Sequence, residues 1–146
     1  MRKRLPWIGA GLGAVGLVAV IIGTFLPWSR SGLTYRNSYA SLGVLRELGF
    51  VGSLVTVWVA MIPLAAVTIA IYALGLRRSA AGVAAVMSII MGTISGVAVV
   101  ERGDEGSLIG IASTGPTTAL AGAALGVLGA AVVLVTQRKR SSGGEA

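Results

Sequence analysis

The sequence contains no cysteine and no histidine. Disulfides, thiolate nucleophiles, thiolate and imidazole metal ligands and imidazole bases are excluded together. Four-helix membrane proteins that exchange disulfides, or that hold haem between paired histidines, are excluded on the same ground. Charge is scarce as well: only 12% of the 146 residues are Asp, Glu, Lys or Arg. A soluble domain carries about a quarter. A soluble fold of this size needs a polar surface, and this chain has too few charges to make one.

What is present is apolar. Hydrophobic residues make up 55% of the chain, and its mean hydropathy is +0.87. A helix needs about 20 mostly apolar residues to cross the hydrocarbon core of a bilayer. Four runs meet that length, at about 7–26, 50–76, 80–100 and 117–136, and none contains Asp, Glu, Lys or Arg. Each such charge at mid-bilayer disfavours insertion by about 2.5 to 3.5 kcal/mol. The expected fold is therefore an all-α, four-helix transmembrane bundle forming one domain over 1–140. The tail 141–146, with Gly143 and Gly144, is expected to be disordered and cytoplasmic. The first run follows Arg2-Lys3-Arg4 like a signal peptide. Its apolar core is longer than a signal core, and Phe25-Leu26-Pro27-Trp28 offers no small-x-small cleavage site, so it is read as a retained span.

The net charge of +7 is not spread evenly. With four spans, the termini share a side with the short Arg77-Arg78 turn. That side collects Arg2, Lys3, Arg4, Arg77, Arg78, Arg138, Lys139 and Arg140. The opposite side has Arg30, Arg36, Arg46 and Arg102, together with Glu47, Glu101, Asp104 and Glu105. Positive-inside bias places both termini in the cytoplasm. Trp7 and Trp28 bracket the first span as interfacial aromatics do. No basic domain remains outside the membrane, so nucleic acid is not an expected partner.

Helices in a bilayer associate through close packing and interhelical hydrogen bonds rather than the hydrophobic effect. Gly9, Gly13, Gly16 and Gly23 are separated by steps of four, three and seven and share one stripe of the first span. Ser88, Gly92, Ser95 and Gly96 form a stripe in the third, and Gly122, Gly126 and Gly129 another in the fourth. These are read as internal packing faces; a dimer or partner interface is their other use. Pro63 interrupts the hydrogen-bond ladder midway along the second span and is expected to kink it. Thr56, Thr68, Ser88, Thr93 and Ser95 are expected to bond carbonyls one turn back.

The first outer loop carries the candidate contact residues Trp28, Arg30, Tyr35, Arg36 and Asn37, suited to an anionic headgroup or an acidic partner surface. Its second half, Ser38 to Leu48, places Tyr39, Leu42, Leu45 and Leu48 every third residue, as in a short amphipathic helix started by Asn37 or Ser38. The second outer loop has Glu101, Asp104 and Glu105 without the ordered ligand spacing of a calcium loop. Gly115-Pro116 starts the last span, where proline's missing N–H has no helical partner.

The run Phe25-Leu26-Pro27-Trp28, then Ser31-Gly32, Arg36-Asn37-Ser38-Tyr39 and Gly115-Pro116, resembles uncharacterised small four-helix membrane proteins of high-GC actinobacteria. Ten arginines against two lysines, with runs rich in Ala, Gly and Val, fit a high-GC coding bias. The resemblance covers the layout and implies no functional residues. Trp28 also resembles the first loop of claudin-like four-helix proteins, whose cysteine pair this chain lacks.

No catalytic, cofactor or metal site is expected. The spans hold no general base, paired acids or Ser-Lys arrangement. They also lack the intramembrane carboxylate that ion-coupled transport generally uses. The expected role is a non-catalytic accessory, scaffold or interaction subunit, with the bilayer and another membrane protein or a second copy as partners. A small transporter or channel component working as an oligomer is the other reading.

Overall fold

The computed structural model describes residues 5–47, 49, 54–101 and 109–141. In chain order it comprises α1 (Leu5–Phe25), β1 (Pro27–Ser31), β2 (Thr34–Asn37), α2 (Ser38–Glu47), α3 (Leu54–Ala73), α4 (Arg77–Val100), β3 (Ile109–Ile111) and α5 (Thr114–Ser141). The four long helices α1, α3, α4 and α5 each have the length and composition to cross a membrane. The protein is an all-α four-helix bundle of multi-pass membrane type, topped at one end by a three-stranded sheet. Met1–Arg4, the 102–108 segment with Asp104 and Glu105, and residues 142–146 lie outside the described residues. Ser141, expected in a disordered tail, is the last residue of α5.

Span boundaries differ from the apolar runs for local reasons. Leu74-Gly75-Leu76 is apolar but forms the turn between α3 and α4, with Gly75 at φ +86°. That left-handed conformation suits glycine, and Gly75 N–H donates to the Tyr72 carbonyl at 3.1 Å to close α3. Helix α3 runs through Pro63, which lies on its exposed side. Its buried stripe is Ala65, Thr68 and Tyr72, at helical steps of three and four.

The bundle is closed by α1 and α5, which run antiparallel with Gly23 beside Ala119, Gly16 beside Gly122 and Gly126, and Gly9 beside Gly129. A Cβ on Gly16 would lie 2.7 Å from the Gly122 carbonyl oxygen, and one on Gly122 would lie 2.7 Å from the Gly16 oxygen. Because a glycine hydrogen takes the direction of the missing Cβ, these two residues aim C–H groups at each other's carbonyls. Such contacts are weak individually, about 0.5 to 1 kcal/mol. They form only where the backbones touch. Gly129 and Gly9 repeat the pattern one stretch further along, with 2.7 Å and 3.0 Å approaches to each other's oxygens.

Gly126 is constrained from a second side, because the Ser88 hydroxyl of α4 occupies the place its Cβ would take. The stripe on α4 is different. A Cβ on Gly92 would meet only Ala123 Cβ, at 3.4 Å, and one on Gly96 only Leu120 Cδ1, at 3.9 Å. Both are ordinary van der Waals distances, so neither glycine permits a closer helix approach than alanine would. The hydroxyls of Thr68 and Thr93 bond the carbonyls of Leu64 and Ile89, one turn back, at 2.7 and 2.9 Å. Ser88 and Ser95 depart from that expectation: their buried hydroxyls have no hydrogen-bond partner.

Candidate functional site at the sheet end

The most elaborated region is the end of the bundle where α1 stops and α5 starts. An α-helix leaves its last four carbonyls without helical donors. Pro27 prevents α1 from continuing. Two side chains from farther along the chain then take up the open carbonyls. Trp28 Nε1 donates to the Gly23 oxygen at 2.8 Å. Ser38 Oγ donates to the Thr24 oxygen at 2.6 Å. The Thr24 hydroxyl donates to the Ile21 oxygen at 2.7 Å, so its 3.0 Å contact with Tyr39 has the Tyr39 hydroxyl as donor.

Trp28 reaches Gly23 because β1 is irregular where it sits. Pro27 opposes Asn37, while Ser29 opposes Arg36, which leaves Trp28 as an extra residue. A bulge of this kind re-aims one side chain out of the strand pattern. The Trp28 ring packs edge-on against Trp58 of α3, centroids 5.5 Å apart. It also lies on Gly115 in the first turn of α5, where a Cβ would fall 2.6 Å from the indole nitrogen and 2.6 Å from the Pro27 oxygen. Trp58 Nε1 donates in turn to Ser38 Oγ at 3.1 Å. One indole pair thus ties together α1, α2, α3 and α5.

The sheet is ordered β2-β1-β3 and is antiparallel throughout. Strand β1, from the first inter-helix connection, lies between β2 and β3, and β3 comes from the connection between α4 and α5. Pairing of Ser29 with Ile111 and Ser31 with Ile109 therefore stitches the two long connections to each other. A further bond, from Ala112 N–H to the Trp28 oxygen at 3.0 Å, carries the join up to α5. Between β1 and β2 the turn has two residues, Gly32 at φ +60° and Leu33 at negative φ. That combination matches a type II′ hairpin, whose twist suits the flanking strands.

The expected contact residues separate into two groups. Trp28 faces inward, and Asn37 caps α2, its Oδ1 accepting the Ala40 N–H at 2.9 Å. Arg30 is half-buried in the central strand. Tyr35 and Arg36 are exposed on β2, and Leu33 at the tip is 99% exposed. The signal for Leu33 at the tip is Gly32, since a glycine at the first central position suits a type II′ turn. The amphipathic segment does form α2, and Ser41 on its first turns bonds Ser29 of β1 at 2.8 Å. Among the described residues, Glu47 and Glu101 are exposed at this end, and no group of three or more His, Cys, Asp or Glu side chains comes together.

No protein-family model matches the chain, and no curated protein or solved structure shows significant similarity to it.

Proposed function

We propose that the protein is a non-catalytic interaction subunit of a bacterial plasma membrane, with both termini cytoplasmic and the sheet end outside the cell. The observation that carries this reading is the anchored hairpin. Its base is tied to four helices through Trp28 and Trp58, while its tip offers Leu33, Tyr35 and Arg36 to the surroundings. An exposed leucine and tyrosine on a rigid base lose little conformational entropy on binding, which favours recognition over solvation. The basic clusters at the opposite end support the orientation. The loop motifs and composition support an actinobacterial source.

Because the chain has no native cysteine, a single Leu33→Cys provides a unique label. A membrane-impermeant maleimide should react with it in intact cells, whereas Ser141→Cys should react only after lysis. A neighbouring membrane protein should copurify with the native chain in mild detergent and be lost from Leu33→Asp, with the helical content unchanged. Recovery of the native chain only as a free monomer overturns the interaction role. Labelling of Ser141→Cys in intact cells overturns the orientation.

A second reading, a transport or channel subunit working as an oligomer, rests on the groove along α4 and α5 lined by Ser88, Gly92, Thr93, Leu120, Ala123 and Val127. It predicts solute flux into vesicles containing the purified chain, a result that the first reading does not.

A further inference from the structure

The turn end of the bundle has charge where helix physics disfavours it. Helix α4 opens with Arg77 and Arg78, and no side chain caps its N-terminus. The first N–H groups of a helix point outward without acceptors and carry partial positive charge, so anions are stabilised there and cations are not. Two guanidinium groups stand at that positive end. The described carboxylates, Glu47 and Glu101, are at the other end of the bundle. Glu101 caps the C-terminus of the same 24-residue helix, about 36 Å away at 1.5 Å per residue. Charges that far apart, at opposite ends of a spanning helix, form no ion pair.

The side chains show where a counter-charge would sit. The Arg77 guanidinium carbon lies 3.7 Å from the centroid of the Trp7 ring on α1. Its Nε is shielded from solvent and has no hydrogen-bond partner. The guanidinium is thus held over the indole, with its shielded Nε left unpaired. The surface around it is apolar: Trp7 is 58% exposed, Leu74 77% and Leu76 62%. An arginine pair, one guanidinium held over an indole, bordered by exposed leucines suits a ligand with an anionic phosphate and a hydrocarbon part. A free phosphate uses only the first of these.

We propose that Arg77 and Arg78 bind the phosphate of an anionic membrane phospholipid, with Trp7 holding the Arg77 guanidinium in position and Leu74 and Leu76 bordering the acyl chains. The inference rests on the multi-pass reading and not on which side of the membrane this end faces. Each arginine near a charged lipid surface shifts binding about fivefold.

The test offers the purified full-length chain in detergent equal amounts of phosphatidylglycerol and phosphatidylcholine, with retained lipid counted by native mass spectrometry. The native chain should retain phosphatidylglycerol preferentially. Arg77→Gln should lower that preference about fivefold, and Trp7→Leu, which keeps both charges, by about two- to fivefold. The double variant Arg77→Gln/Ser79→Arg restores net charge without the indole contact and should not restore retention. Glu47→Gln should leave it unchanged. Equal retention of the two lipids by the native chain overturns the proposal, as does native-like retention by the double variant, which would mean a diffuse charge effect. Displacement of the lipid by excess inorganic phosphate overturns the lipid as occupant. Recovery of the chain as a soluble globule without detergent is a separate failure, that of the multi-pass reading itself.

Discussion

Helix α1 meets α5 through its backbone and α3 through its side chains. Along α5 the glycines of both helices face carbonyls and amides, leaving no room for a methyl group at Gly16, Gly122 or Gly129. Against α3 the contact is made by Tyr72, whose ring lies over Gly13 with the hydroxyl 3.0 Å from the Cβ position. The burial differs accordingly: 44% of the spanning window of α1 is buried, but only 17% of that of α3. Helix packing in lipid depends on van der Waals contact, since the apolar solvent gives no hydrophobic drive. The bundle therefore has its backbone-to-backbone seam along α1 and α5, and one peripheral helix, α3, whose Val57, Val59, Leu64 and Val67 face outward.

The same substitution at different glycines tests that contrast most strongly. Gly16→Ala drives a methyl into the Gly126 backbone and should destabilise the bundle by about 3 kcal/mol, the upper part of the range for overpacking. Unfolding in mixed micelles with increasing denaturing detergent measures it. Gly115→Ala should cost about 2 kcal/mol by the same mechanism. It should also displace Trp28, seen as a red shift in tryptophan emission. Trp28→Phe keeps most of the ring contact but leaves the Gly23 carbonyl without its indole donor. A loss of about 1 kcal/mol is expected, that of one hydrogen bond. At the other extreme, Gly92→Ala should stay within about 0.5 kcal/mol of the native chain, because its Cβ meets only an ordinary contact at 3.4 Å. Gly11→Ala, with nothing within 4 Å, is the matched control. If Gly92→Ala proves as damaging as Gly16→Ala, the seam is not where the bundle is held.

The spans were legible because hydrocarbon imposes a strict condition, about 20 residues without charge, that the sequence meets four times. Helix α2 was legible too, since Asn37 and the three-residue spacing of Tyr39 and Leu42 act locally. The sheet was not. Strand β1 has two neighbours, and β3 lies about 80 residues farther along the chain, so periodicity within one loop does not reveal the pairing. The bulge at Trp28 compounds this, because it turns a residue that reads as an interfacial aromatic toward Trp58. Glycine stripes show a further limit. Spacing places Gly16 and Gly92 alike on one face of their helices, but only the opposing helix decides whether a missing Cβ is needed. Across from Gly16 stands a glycine; across from Gly92 stands the methyl of Ala123.

The tight seam joins the first and the last of the four spans, and that has a consequence for biogenesis. When α1 enters the bilayer its glycine face has no partner, because Gly122, Gly126 and Gly129 have yet to leave the ribosome. At about 5 to 20 residues per second, roughly 5 to 20 s pass before they emerge. Until then the nascent chain presents lipid with an unpaired groove, and β1 has only β2 beside it. Insertion of the fourth span closes both gaps together. A ribosome stalled before that point leaves a product without its principal contact, recognisable to membrane proteases as unfinished.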